Sequence, residues 1–142
     1  MRRCDELGRV SEEKGCLTRT FASPAMKRAN KLVGSWMSQA GLTVREDAAF
    51  NLIGRLASSK RGAKTVIIGS HLDTVRNAGK YDGPLGVLLG IAVAQSLRGK
   101  KLPFHLEVVG FSDEEGVKYQ TTYLGSRAML GLLNKKDLAI IV

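Results

Sequence analysis

Cysteine is scarce: the 142-residue chain holds two, Cys4 and Cys16, both close to its start. Two thiols so placed cannot staple a fold, and their spacing is not the Cys-x-x-Cys of a zinc or redox site, so both read as reduced. Long apolar runs are missing as well. The longest, Gly83 to Ala94, falls short of the roughly 18 residues that a membrane span requires, and no membrane partner is expected. The opening Met1-Arg2-Arg3-Cys4-Asp5-Glu6 leads into polar residues rather than the apolar core of a secretory signal, which makes a cytoplasmic location the default. Aromatic residues are 6% of the chain and do not interleave with the basic ones, so the stacking platform of a single-strand binder is lacking and no nucleic-acid partner is expected. A Gly-x-Ser-x-Gly nucleophile motif, internal repeats and low-complexity tracts are absent too.

Positive charge is plentiful, with 22 Lys+Arg against 13 Asp+Glu and a net charge of +9. The excess is lopsided. Residues 1–64 hold 13 basic and 6 acidic residues, whereas residues 65–142 hold 9 and 7. Five of those seven acids fall in two short groups, Asp73 with Asp82 and Asp113-Glu114-Glu115, so the acids of the second half carry more information than the overall charge. With 44% apolar residues, the length fits one globular unit with a modest core.

Residues 1–20 are polar and weakly patterned and read as a flexible lead-in. At Ser23-Pro24 a hydroxyl can cap a helix whose first position tolerates proline, and apolar residues then recur on one helical face from Ala25 to Ala40, with Gly41 as the stop. Leu42–Arg45 and Asn51–Leu56 read as short strands. Thr65-Val66-Ile67-Ile68-Gly69 is apolar on both faces, the pattern of a central strand covered on both sides. Gly83-Pro84 opens a helix to about Arg98, apolar nearly all round and therefore expected to be buried, with Gly86 and Gly90 one turn apart for close backbone approach. Leu102 to Phe111 is a further strand, Ser126–Leu133 a helix, and Leu138–Val142 a terminal apolar stretch. Alternating helices and strands imply an α/β sheet, whose ligands bind beyond the carboxyl ends of the strands.

Those strand ends carry the chemistry. His71 and Asp73 follow one strand, Asp113, Glu114 and Glu115 follow another, and Asp82 stands at the mouth of the apolar helix. Imidazole with several carboxylates suits zinc, manganese or a similar ion, and a surplus of carboxylates suits two ions sharing a bridging group. Adjacent Glu114 and Glu115 point to opposite sides of an extended backbone, so one can bind metal while the other handles protons. Beside these, Tyr81 and Pro84 read as turn-shaping, Gly125-Ser126 as a capped helix start, Lys118 and Arg127 as charge balance, and His105 as a solvent-facing strand residue.

Four ordered motifs, Gly69-Ser70-His71-Leu72-Asp73-Thr74-Val75, Gly79 to Val87, Gly110 to Gly116 and Leu124-Gly125-Ser126-Arg127, closely resemble the amidase, hydantoinase and carbamoylase branch of the dinuclear-metal peptidase family. The likeness runs from about Leu17 to Gly131. It implies a mixed-sheet, helix-flanked, zinc-peptidase-like catalytic domain of which residues 21–142 form the N-terminal portion, incomplete and without the lid and dimerisation domain. It also implies two divalent ions, zinc or manganese: His71 would bind one, Glu115 the second, and Asp82 both. Glu114 would be the general base, and Asp73 would hydrogen-bond the free ring nitrogen of His71. A cis peptide is expected at Asp82–Gly83. The activity implied is hydrolysis of a linear ureido C–N bond, with allantoate preferred and N-carbamoyl amino acids or β-ureidopropionate as alternatives. A homodimer is expected only where the lid is present. Because the family uses two more histidines beyond this region, an inactive fragment or a binding module is the rival reading.

Overall fold

The computed structural model describes residues 1–134, 136 and 137; the terminal stretch Leu138–Val142 lies outside them. Among the described residues four strands form one mixed sheet in the order β1-β2-β4-β3: β1 is Thr43–Glu46, β2 Leu52–Leu56, β3 Thr65–His71 and β4 His105–Phe111. The β1–β2 and β2–β4 pairs are antiparallel, while β3 runs parallel to β4, with His71 opposite Phe111. Parallel neighbours need a crossover, and α3, Pro84–Leu97, supplies it. Because β3 and β4 run the same way, both deliver their following loops to the same edge of the sheet.

Helix α2, Pro24–Gln39, begins as its sequence dictates. Ser23 Oγ accepts the Met26 N–H at 3.0 Å and Pro24 takes the first turn. Its inner face buries Met26, Ala29, Val33, Trp36 and Met37 against Leu52, Leu106 and Val108 of the sheet. Val87, Ile91 and Ala94 of α3 complete the same core. A side chain at Gly90 would begin 2.9 Å from Val108 and 3.1 Å from Ile68, so the glycine is what lets α3 lie close to the sheet.

Three expectations are corrected. Among the described residues strand β3 stands at the edge of the sheet, paired on one side only, and leaves Val66 and Ile67 44% and 50% exposed. An apolar run reports what a strand could bury, whereas its place in the sheet follows from pairing with distant residues. Helix α3 likewise buries one face and exposes Leu85, Leu89 and Val93, which lie four residues apart along its outer side. The flexible lead-in is instead a folded segment: α1, Arg2–Gly8, buries Cys4 and Leu7, and Leu17, Thr18, Arg19 and Phe21 are buried after it. Seven residues are too short for helical periodicity to register in the sequence. Among the described residues no helix is long and apolar enough to cross a membrane.

Candidate metal centre

Strand β3 hands over to the core through Leu72, which is fully buried and whose N–H donates to the Phe111 carbonyl at 3.2 Å. That anchor leaves His71 and Asp73 on either side of it. The imidazole Nδ1 lies 3.0 Å from the Asp73 carbonyl oxygen. Since a carbonyl only accepts, this contact places a ring proton on Nδ1, and in the neutral ring Nε2 then carries the lone pair that a metal would use.

Nε2 faces two carboxylates, Asp82 Oδ1 at 3.7 Å and Glu115 Oε1 at 3.8 Å. One donor atom from each of His71, Asp82 and Glu115 lies within 4.8 Å of the others. The three come from the end of β3, the turn before α3 and the loop after β4. Ligands bound at ~2.1 Å in a tetrahedral arrangement sit ~3.4 Å apart, so the observed spacings leave room for an ion between them. Gly83 is required at this point. Its φ is +80°, and a Cβ there would begin 2.6 Å from the His71 ring.

The Asp82–Gly83 peptide is trans, as are the peptide bonds throughout the described residues, which corrects the expected cis bond. The left-handed glycine turns the chain into α3 and presents Asp82 without isomerisation. Asp73 also acts differently from the expectation. Its carboxylate oxygen is 3.8 Å from Nδ1, beyond hydrogen-bond range, and the ring is held by its carbonyl instead. The buried carboxylate accepts the backbone N–H groups of Glu114 and Glu115, each at 3.1 Å. It therefore orients the acid loop.

Glu114, half-buried beside the cluster, receives the Ser126 hydroxyl on Oε2 at 3.2 Å. Burial raises its carboxyl above the ordinary value; the Ser126 hydrogen bond and His71 pull the other way, and the negative charges of Asp73 and Glu115 add to the rise. Asp113 is not part of the cluster. It is buried at φ +48°, its Oδ2 has no partner among the described residues, and burial followed by the Asp73 charge pushes its carboxyl up to about 6.

The acid loop is closed by backbone bonds from Tyr123, Leu124 and Gly125 to the carbonyls of Glu114, Asp113 and Ser112. Asn51, fully buried, reinforces this closure: its Oδ1 accepts the Ser112 N–H at 3.0 Å and its amide donates to Gly125 O and Asp47 Oδ2, both at 2.9 Å. The sequence marks Asn51 only as the first residue of a short strand, with no sign of these distant partners. Nor does it single out Arg19, whose guanidinium is buried behind Leu72. Burial lowers that group to about 10, with the Asp73 charge opposing the shift.

The remaining candidates have structural partners. Lys118 lies 3.4 Å from the Phe21 carbonyl, Arg127 pairs with Asp137 at 2.6 Å, and His105 Nδ1 accepts the Ser58 N–H at 2.9 Å. His105 thus sits at the opposite end of β4 from the cluster, where it is partly exposed. An apolar pocket of about 360 Å³, walled by Phe21, Phe50, Tyr119 and Leu124 among others, is lined by none of His71, Asp82 or Glu115.

Comparison with known proteins places this geometry in context. Residues 51–142 match the family described as Peptidase family M28. Allantoate deiminase 2 from Glycine max is 47% identical over 139 residues, which span 95% of this chain and 29% of that protein. N-carbamoyl-L-amino acid amidohydrolase from Geobacillus stearothermophilus is also 47% identical, over 90% of this chain and 32% of that protein. The crystal structure of a hydantoinase/carbamoylase family amidase from Burkholderia ambifaria superposes with a TM-score of 0.87 at 34% identity, covering 96% of this chain and 34% of that one. The chain therefore spans about a third of the length of these relatives.

Proposed function

Because the chain belongs to peptidase family M28, we propose that it carries part of a two-metal amidohydrolase site that hydrolyses a linear ureido C–N bond, with allantoate as the substrate. The observation that supports this most directly is the convergence of His71, Asp82 and Glu115 within 4.8 Å. One imidazole nitrogen and two carboxylates form a donor set that suits zinc or manganese. His71 would hold one ion and Glu115 the second, with Asp82 shared between them. Asp82, with its side chain 69% exposed, is free on its outer side to reach the second. Bound there, such ions supply Lewis acidity to a ureido carbonyl and to water.

The protein's own groups supply the rest. Hydrolysis forms a carbon–oxygen bond, breaks the carbon–nitrogen bond, and needs one proton carried from the attacking water to the departing nitrogen. Glu114 is assigned that transfer: it stands beside the cluster without being one of its three donors, and its raised carboxyl brings proton uptake and release closer to neutral pH. Ser126 orients its Oε2, and Asp73 fixes the backbone from which both glutamates project. The proposal includes a cytoplasmic location and, where a lid domain is present, a homodimer.

A second reading, N-carbamoyl-L-amino-acid hydrolysis, draws on the equal 47% identity to the Geobacillus stearothermophilus protein. The test is ammonia release from allantoate beside hydrolysis of N-carbamoyl amino acids, with manganese or zinc, on this chain and on the longest reading frame that contains it. Allantoate turnover supports the first reading, and preference for the carbamoyl compounds supports the second. Metal binding with no turnover of either substrate in any form would favour a binding module.

A further inference from the structure

Arg19 is fully buried, and the hydrogen bonds of its guanidinium run to main-chain carbonyls. Nε donates to Leu72 O at 2.7 Å, and Nη1 donates to Leu7 O at 3.1 Å and Val10 O at 2.9 Å. No carboxylate touches it among the described residues. A guanidinium buried this way loses its hydration, and an apolar side chain of similar volume would fill the space at lower cost. Its planar fork offers direction instead, with several fixed donors that can join separate backbone segments.

One of those segments is the Leu72 peptide, between His71 and Asp73. Its N–H is already held by Phe111 O at 3.2 Å, so Arg19 secures the other end of the same residue. The surrounding strap extends the grip. Arg19 N–H donates to Thr74 Oγ1 and Thr74 N–H to Arg19 O, both at 2.9 Å; Asn77 N–H donates to Thr18 Oγ1 at 3.2 Å and Ala78 N–H to Leu17 O at 2.8 Å. The loop that begins at His71 and ends at Asp82 is thus laid against Leu17-Thr18-Arg19.

We propose that Arg19 is a positioning residue of the metal centre: by holding the Leu72 carbonyl it sets His71 Nε2 toward Asp82 and Glu115, and sets the Asp73 carboxylate under the Glu114 and Glu115 N–H groups. This rests on the metal-site reading above. Arg19 touches no ligand atom itself and acts through Leu72. The folded segment before residue 21 accordingly belongs to the site's support.

The experiment compares the 142-residue protein with Arg19→Met, Arg19→Lys and a control, Met37→Ala, which opens the same core from α2. Two quantities are read at a temperature where circular dichroism shows each protein folded: hydrogen-exchange protection of the Glu114 and Glu115 amides, and zinc affinity by calorimetry. Arg19→Met is expected to lose protection of those two amides while β2 and β4 amides stay protected, and to bind zinc roughly 10- to 100-fold more weakly. Met37→Ala is expected to keep both. Arg19→Lys, which retains the charge without the fork, should fall between, and it decides the matter if Arg19→Met does not fold. Unchanged protection in the Arg19 variants, or equal loss in Met37→Ala, overturns the positioning role even if zinc binds. Failure of the unsubstituted protein to bind zinc overturns the metal reading alone, since the amide protection still reports on Arg19.

Discussion

The N–H of Glu115 lies 3.1 Å from Asp73 Oδ2, a contact that joins the loops following two neighbouring parallel strands. One carboxylate at the end of β3 thereby fixes the backbone of a residue whose own carboxylate returns to within 3.8 Å of His71. The candidate site is closed into a ring of contacts rather than assembled from independent side chains.

Asp73→Asn tests that ring. An amide can accept through one atom only, so one of the two glutamate N–H groups would face an –NH₂ and lose its partner. A stability loss of ~1–3 kcal/mol is expected, read by thermal unfolding, together with a roughly 10- to 100-fold weaker zinc affinity.

Glu114→Gln separates proton transfer from metal binding. The side chain stays close in shape and can still meet Ser126, so zinc affinity should hold within about twofold while turnover falls ~10²- to 10⁴-fold in the form that hydrolyses substrate. Comparable losses of affinity and turnover would place Glu114 among the ligands instead.

The exposed apolar side chains on β3 and α3 predict binding of an apolar dye. Ile67→Thr with Leu89→Gln should reduce that fluorescence and change stability by no more than ~0.5 kcal/mol for each substitution, because Ile67 is 50% and Leu89 58% exposed. A monodisperse monomer with no dye binding before substitution would contradict this.

A pH dependence is expected where α1 docks. Lys80 Nζ donates to Asp5 Oδ1 at 2.6 Å, and that hydrogen bond, with the lysine charge, holds the Asp5 carboxyl below its ordinary value of 3.8. A lowered carboxyl contributes stability at pH values above the unfolded value, and the contribution is lost as pH falls through the folded one. Amide protection in α1 should therefore weaken below about pH 4, and Lys80→Ala should remove this component without affecting protection in β2 and β4.

The sequence made α2 legible because cap, proline and periodicity agree locally, and it made His71, Asp82 and Glu115 legible because four motifs stand in order. Strand order was not legible. Which edge of β4 receives β3, and what lies beyond β3, depend on residues far apart in the chain. Arg19 and Asn51 were hidden for another reason: a charged or amide side chain is ordinarily exposed, and only the backbone carbonyls and N–H groups they meet reveal their burial. The same holds for Asp73, for which the family resemblance implied a bond to the imidazole while its carboxylate serves two peptide groups 41 and 42 residues away.

His71, Asp82 and Glu115 are proposed to form one metal centre, and the decisive measurement is calorimetric titration of the chain with zinc and manganese. Saturable binding that is abolished by His71→Ala and by Asp82→Ala is the predicted result; binding unaffected by those substitutions, or none at all, would contradict it.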